Sequence, residues 1–333
     1  MTDLLLTPTS SPARIAQTTT RQVEKGEDRT LNVELLIPKD WLKFEPYGPQ
    51  PPDASGLILF GRYGSRDGKA LLELYAEPII REVASADWFD HFARTGGYKV
   101  EKAERRTSPA GTHVDAIATR PGKSGAPFVY RMSTYKDAGV VYLVTGFAHP
   151  QDFDVLQDAF VVAMKSFQLL HPIDEPSAEP LRTVNLARVL PVQLVIPQPW
   201  QRLQDPRTDV DLVHFENKGA GDAMLGKISV LVAPFAAYPS ATAIASALVP
   251  TVAIVLRPGA PAALGKGFIG PQQGDASVAG GVYPSSVRVF VARLGTAWVG
   301  VARWSHPPTA ERYPTDAIND RAYDIVLRTF AGT

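Results

Sequence analysis

The stretch GDAMLGKI at 221–228 holds the residue types of a phosphate-binding loop. Two glycines and a lysine stand at the spacing G-x-x-x-x-G-K, which lets backbone N–H groups cradle phosphates while the lysine neutralises them. The next position must bring a Ser or Thr hydroxyl to magnesium, and here it is Ile228. A second stretch, GAPAALGKG at 259–267, has one residue too many between its glycines and ends in glycine. Both are expected to be loops that bind no nucleotide. The six histidines are His91, His113, His149, His171, His214 and His306, and none forms the close pair that zinc motifs use. Asp87, Asp90 and His91 share one helical face at i, i+3 and i+4, a spacing that suits a metal. That face lies opposite Trp88 and Phe92, so a solvated flank is the simpler reading. His149 and His306 each precede a proline at a strand end, which suits a turn role. There is no Gly-x-Ser-x-Gly elbow, and with no cysteine there is no thiolate nucleophile, thiolate metal site or disulfide. The expectation is a protein that is not an enzyme and carries no cofactor or metal.

The elements that would position any site are announced by a repetition. VELLIPKDW at 33–41 returns as VQLVIPQPW at 192–200, each an alternating apolar strand stopped by proline and followed by tryptophan. ALLELYAEP at 70–78 is matched by KISVLVAP at 227–234, and GFAHP at 146–150 by RWSHP at 303–307. Lys165-Ser166-Phe167 is matched by Arg328-Thr329-Phe330. Landmarks in one order at nearly constant separation mean a tandem duplication, with copies of about 140 residues, an ordinary domain size. The divisions expected are a mobile N-terminal arm at 1–30, a first repeat at 31–170, a Pro-rich linker at 171–189 and a second repeat at 190–333. Trp41 and Trp200 are the expected structural anchors.

The formal net charge is zero, so no basic footprint points to nucleic acid. The beginning of the chain lacks the basic start and longer apolar run of a secretory signal, so a cytoplasmic protein is expected. Residues 228–256 contain no charge, yet Pro234, Pro239 and Pro250 interrupt them. A spanning helix needs about 20 apolar residues in one piece. The run therefore reads as a strand, a turn at Tyr238-Pro239-Ser240 and an apolar helix at about 240–256, not as an integral membrane segment.

Within the first copy, LILFGRY and LLELYAEP flank the turn residues GSRDGK and form a hairpin. Ser85 reads as the N-cap of a short helix bearing Trp88, Phe89 and Phe92. Four β-like runs follow between 98 and 148. A closing helix at about 151–168 carries the stripe Phe153, Leu156, Phe160, Met164 and Phe167, repeated as Ile318, Ala322, Val326 and Phe330. The fold class is α+β, two tandem copies of an antiparallel sheet flanked by helices.

A leading strand ending in (L/V)-I-P-x-x-W, the late strand pair FVYRMSTYKDAGVVYLVTGFA and a final helix ending in Ser-Phe or Thr-Phe resemble the PsbP and DcrB-like fold. Within that group the unit is similar to the Eag chaperones of type VI secretion effectors. The resemblance implies a non-enzymatic cytoplasmic chaperone or adaptor, whose partner is another protein, such as a secreted effector with apolar segments. Ile244, Leu248, Val252 and Val255 would then line a groove for an apolar guest, with core packing of the same helix as the plain alternative. Two further readings are a scaffold module of a bacterial secretion or envelope assembly and a small-ligand binding protein.

Overall fold

A computed structural model describes residues 3–26, 28–45, 56–108, 111–122, 125–173, 177–206, 209–219, 223–261, 264–278, 285–306 and 315–332. The Pro-rich stretch 46–55, linker residues 174–176, Gly221 and Asp222 of the first glycine-lysine motif and residues 262–263 of the second lie outside them. The chain divides into two compact units, Met1–Ala178 and Glu179–Thr333.

The first unit begins with α1 (Pro12–Thr18), capped by the Ser11 side chain, which accepts the N–H of Arg14. It continues directly into β1 (Thr19–Glu24), which pairs along its whole length with β2 (Val33–Pro38). Alternation in β2 buries Val33, Leu35 and Ile37, the apolar set of the repeated phrase. Then come β3 (Leu42–Lys43), β4 (Ile58–Gly64), β5 (Ala70–Pro78) and α2 (Ser85–Thr95). Four long strands follow: β6 (Lys99–Ser108), β7 (Gly111–Pro121), β8 (Pro127–Asp137) and β9 (Val140–Ala148). α3 (Pro150–Ser166) and β10 (Gln168–Leu169) close the unit. The main sheet is antiparallel in the order β3-β4-β5-β9-β8-β7-β6, and β1-β2-β10 form a smaller sheet. α3 lies across β2, β8 and β9, while α2 covers β6 to β8. Successive β8 residues point to opposite faces of the sheet, so one face belongs to α3 and the other to α2.

The second unit repeats this order with β11 (Leu181–Leu186), β12 (Val192–Pro197), β13 (Gln201–Gln204), β14 (Asp211–Lys218) and β15 (Met224–Pro234). It continues with α4 (Ala241–Leu248), β16 (Arg257–Pro258), β17 (Phe268–Val278), β18 (Ser285–Leu294), β19 (Ala297–Ser305), α5 (Thr315–Thr329) and β20 (Ala331–Gly332). Its sheets run β13-β14-β15-β19-β18-β17-β16 and β11-β12-β20. The α+β class and the tandem sheets expected from the repeat are therefore what the chain forms. Even the turns after the repeated prolines match: Trp41 N–H donates to the Pro38 carbonyl at 3.1 Å and Trp200 N–H to that of Pro197 at 3.2 Å.

Several boundaries move. Part of the expected arm at 1–30 is ordered structure, because β2 has a backbone edge that needs a partner and the polar strand β1 supplies it through main-chain bonds. For the same reason the end of the expected linker is β11, which pairs along its whole length with β12. The N-cap of α2 is Ala84, and Ser85 is a buried first helical residue. The helix expected at 240–256 is only α4, ending at Leu248, with Ser240 as its cap. Lys227 and Ile228 lie inside β15, so the phosphate-loop spacing falls on a strand. No helix among the described residues is long and apolar enough to cross a membrane.

Gly146 of β9 shows how tightly α3 is seated. A Cβ there would lie 2.2 Å from the Phe160 ring, a separation that side chains do not tolerate. Gly146→Ala is expected to cost about 1–3 kcal/mol by overpacking. A urea midpoint lowered with unchanged slope would show it; an unshifted midpoint would mean that Phe160 yields freely.

Candidate functional site

The long helix and the sheet of the first unit enclose a groove whose floor is a buried charge cluster. Asp115 of β7 is fully buried, and in the ladder it stands opposite Ser133 of β8. Its carboxylate accepts from Arg131 Nη2 at 2.7 Å, Ser133 Oγ at 2.9 Å, Lys165 Nζ at 2.9 Å and the Arg106 guanidinium. His113 Nε2 lies 3.2 Å away. Burial pushes the Asp115 carboxyl up, but the His113 hydrogen bond, the Arg131 charge and the Lys165 and Arg131 hydrogen bonds outweigh it. The group is held well below the ordinary carboxylate range, so it stays ionised and neither gives nor takes a proton near neutrality.

Arg131 is also fully buried, and Asp115 fixes its fork. Nη1 donates to the Met132 carbonyl at 2.6 Å, and Nη2 to the carbonyl of Leu5 at 3.0 Å. The N–H of that same Leu5 donates to Gln157 Oε1 at 2.9 Å. One residue of the N-terminal segment is thus read at both backbone groups by two side chains of the groove. Further along, Thr9 N–H donates to Asp158 Oδ1 at 2.5 Å, and before it Asp3 pairs with Lys102 Nζ at 2.8 Å. Burial pushes Asp158 up, but hydrogen bonds from Ser10 and Thr9 bring it below its usual value. Leu4 packs against the apolar cluster formed by α3, β2 and the sheet. The arrangement holds an irregular, leucine-bearing stretch mainly by its main chain.

The opposite face of the first sheet carries a run of rings, half-buried from Phe92 onward and starting at the fully buried Trp88. Trp88 stacks on Phe92 at 5.2 Å, Phe92 on Tyr98 at 5.3 Å, and Tyr130 meets Tyr98 at 5.0 Å. Phe147 lies 5.0 Å from Tyr130 and 5.8 Å from Phe128, which stacks on His149 at 4.3 Å. The recurrent histidines thus differ: His149 ends an aromatic run at the start of α3, whereas His306 Nδ1 sits 3.2 Å from Ser285 Oγ.

Of the residues expected to line an apolar groove in the second unit, Ile244, Leu248 and Val252 meet in one cluster and Val255 stands apart from it. Ile244 and Leu248 are buried in the core between α4 and its own sheet, over Gly300, whose added Cβ would lie 2.5 Å from Ile244. Val252 is half-buried beyond the helix end, and Val255 is 71% exposed. The physical reason is length: a helix of two turns presents one apolar face, and here the sheet takes it. Trp200 is fully buried in the second core, and the matching Trp41 is half-buried, edge-on to Phe160 at 5.9 Å. Asp90, from the possible metal triad, pairs with Arg105 at 2.6 Å. Among the described residues no group of three His, Asp or Glu side chains converges as metal ligands would.

Sequence reasoning missed Asp115, Arg131, Gln157 and Lys165. One signal was available: Arg131 and Arg288 interrupt apolar strands at matching places in both copies. A charge inside such a run needs a buried partner.

No protein-family model and no curated protein matches the chain. Solved structures do show likenesses. CyanoP, the cyanobacterial PsbP of Synechocystis sp. PCC 6803, is similar over 46% of this chain and 92% of its own, with 11% identity and a TM-score of 0.34. LpqN of Mycobacterium tuberculosis, involved in cell envelope biogenesis, covers 48% of this chain and 98% of its own, with 13% identity and a TM-score of 0.32. PA94 of Pseudomonas aeruginosa covers 47% and 99%, with 16% identity and a TM-score of 0.24. The likeness is a PsbP-like outline. At these scores it carries no activity or partner over to this chain.

Proposed function

We propose that this protein holds another protein and catalyses nothing: it is a chaperone or adaptor for an apolar segment. The observation that carries this reading is the groove of the first unit, where Arg131 and Gln157 hold Leu5 by its carbonyl and its N–H. Holding Leu5 by its main chain leaves that one position open to other side chains, which suits a holder of hydrophobic segments. The resemblance to the Eag chaperones narrows the client to a hydrophobic segment of a secreted effector, kept in the cytoplasm before export. A scaffold role is favoured by a different observation, the half-buried ring run from Phe92 to His149, since aromatic residues are enriched where proteins meet. Little favours a small ligand. Two polar cavities, beside Arg188 and Asp211 and beside Arg21 and Glu34, hold about 230 and 220 Å³. Ligand sites usually run to about 300–1,000 Å³.

The test uses a soluble carrier fused to an apolar segment of about 20 residues, long enough to precipitate when unprotected. An equimolar amount of the full chain is expected to keep the fusion in solution and to elute with it. Precipitation unaffected by the protein would end the holding reading.

A further inference from the structure

The two units treat the same place in opposite ways. Ser166 and Thr329 occupy one helix position, since their hydroxyls accept the N–H groups of Leu36 and Val195, equivalent residues of the repeated phrase. Counting back along each helix, Gln157 corresponds to Asp320. Arg131 faces Gly146, which faces Leu72, and Arg288 faces Arg303, which faces Ile228. Leu72 and Ile228 stand equally far from the prolines that end their strands, so Arg131 corresponds to Arg288. In the second unit these two positions join each other: Arg288 Nη1 lies 3.3 Å from Asp320 Oδ1, and Arg303 Nη2 lies 2.5 Å from the same oxygen. In the first unit, glutamine replaces the carboxylate, the pair stays apart, and Leu5 enters between them. The entering segment is tethered through α1, which buries none of its own residues.

We infer that residues 3–9 are an exchangeable resident of a peptide groove in the first unit. The groove's external ligand is a segment of another protein with an acidic residue directly before two leucines. The existence of such a partner rests on the holding function proposed above. Its chemistry comes from the resident: Lys102 pairs with Asp3, Leu4 enters the apolar cluster, and Leu5 is held by its backbone. The second unit, closed by Arg288 and Asp320, takes no such segment.

A labelled peptide TDLLLTPTS, residues 2–10 of the chain, is titrated by fluorescence polarisation against the full chain and a variant lacking residues 1–10. Freed of its resident, the variant is expected to bind on the order of tenfold or more tighter, because the competent fraction rises. A scrambled peptide should bind weakly to both, and Asp3→Lys should weaken binding by about fivefold, since the Asp3–Lys102 pair is exposed. Should the deletion fail to fold, as judged by circular dichroism, a T9C/D158C variant decides. The chain has no cysteine of its own, so this disulfide would pin the resident in place. Binding should then be suppressed until reductant is added. A folded deletion variant that binds no tighter than the full chain, or a staple without effect, overturns the inference. So does a concentration-dependent dimer of the full chain that the deletion abolishes, since the segment would then serve a second copy. If these failures occur while the apolar fusion is still kept in solution, only the groove assignment falls. If the fusion precipitates as well, the holding function falls with it.

Discussion

Asp115→Asn is expected to destabilise the first unit by about 3–5 kcal/mol, the usual loss when one partner of a buried ion pair is removed. For a unit of this size that is a fall of about 6–20 °C in Tm. The amide keeps the shape of the carboxylate, so the loss isolates its charge. Arg131 would be left as a fully buried cation with no counter-charge at 2.7 Å, and Lys165 would lose its partner at 2.9 Å. The sign of the pH effect follows from the depressed carboxyl. Its contribution is fully present above the unfolded value of about 3.9 and is lost as pH falls through the lower folded value. The gap between wild type and variant should therefore be wide at neutral pH and close in acid. Urea melts at neutral pH and at successively lower values check this. A loss under about 1 kcal/mol, the worth of an exposed pair, would show that the cluster is solvated.

Leu248→Asp is expected to unfold the second unit or detach α4 from it. Leu248 is 6% exposed, with its methyl group against Gly300 and its neighbours in the core of α4, β18 and β19. Losing the apolar side chain alone costs about 2–5 kcal/mol. The aspartate adds a desolvation penalty of several kcal/mol, since it would enter an apolar cluster. Amide hydrogen exchange should lose protection across β15, β18 and β19 while β5 and β9 keep theirs. Retained protection in the second unit would mean that Leu248 lies on a tolerant surface, as a guest-binding groove would require.

The sequence by itself determined the duplication, the strand that ends at Ile-Pro, the four late strands, and the closing helix with its buried Phe153, Phe160 and Met164. These follow from local periodicity and from where proline removes a donor, so a short window suffices to read them. It also excluded the phosphate loop, because Ile228 has no hydroxyl for magnesium. Only the tertiary structure decided which apolar residues are core and which are surface in the segment after β15, because Ile244 and Val255 look alike until the sheet beneath α4 is present. The same holds for Thr19–Glu24 and Leu181–Leu186. Their polar side chains give little pattern, and main-chain bonds to a strand beyond the next turn recruit them. The groove is the extreme case. Leu5, Asp115, Arg131 and Gln157 are far apart in sequence, and no local pattern ties a leucine in a polar arm to an arginine in a distant strand. The β7–β8 ladder sets Asp115 beside Arg131, which offsets the cost of burying them, and the packing of α3 against the sheet brings Gln157 to Leu5.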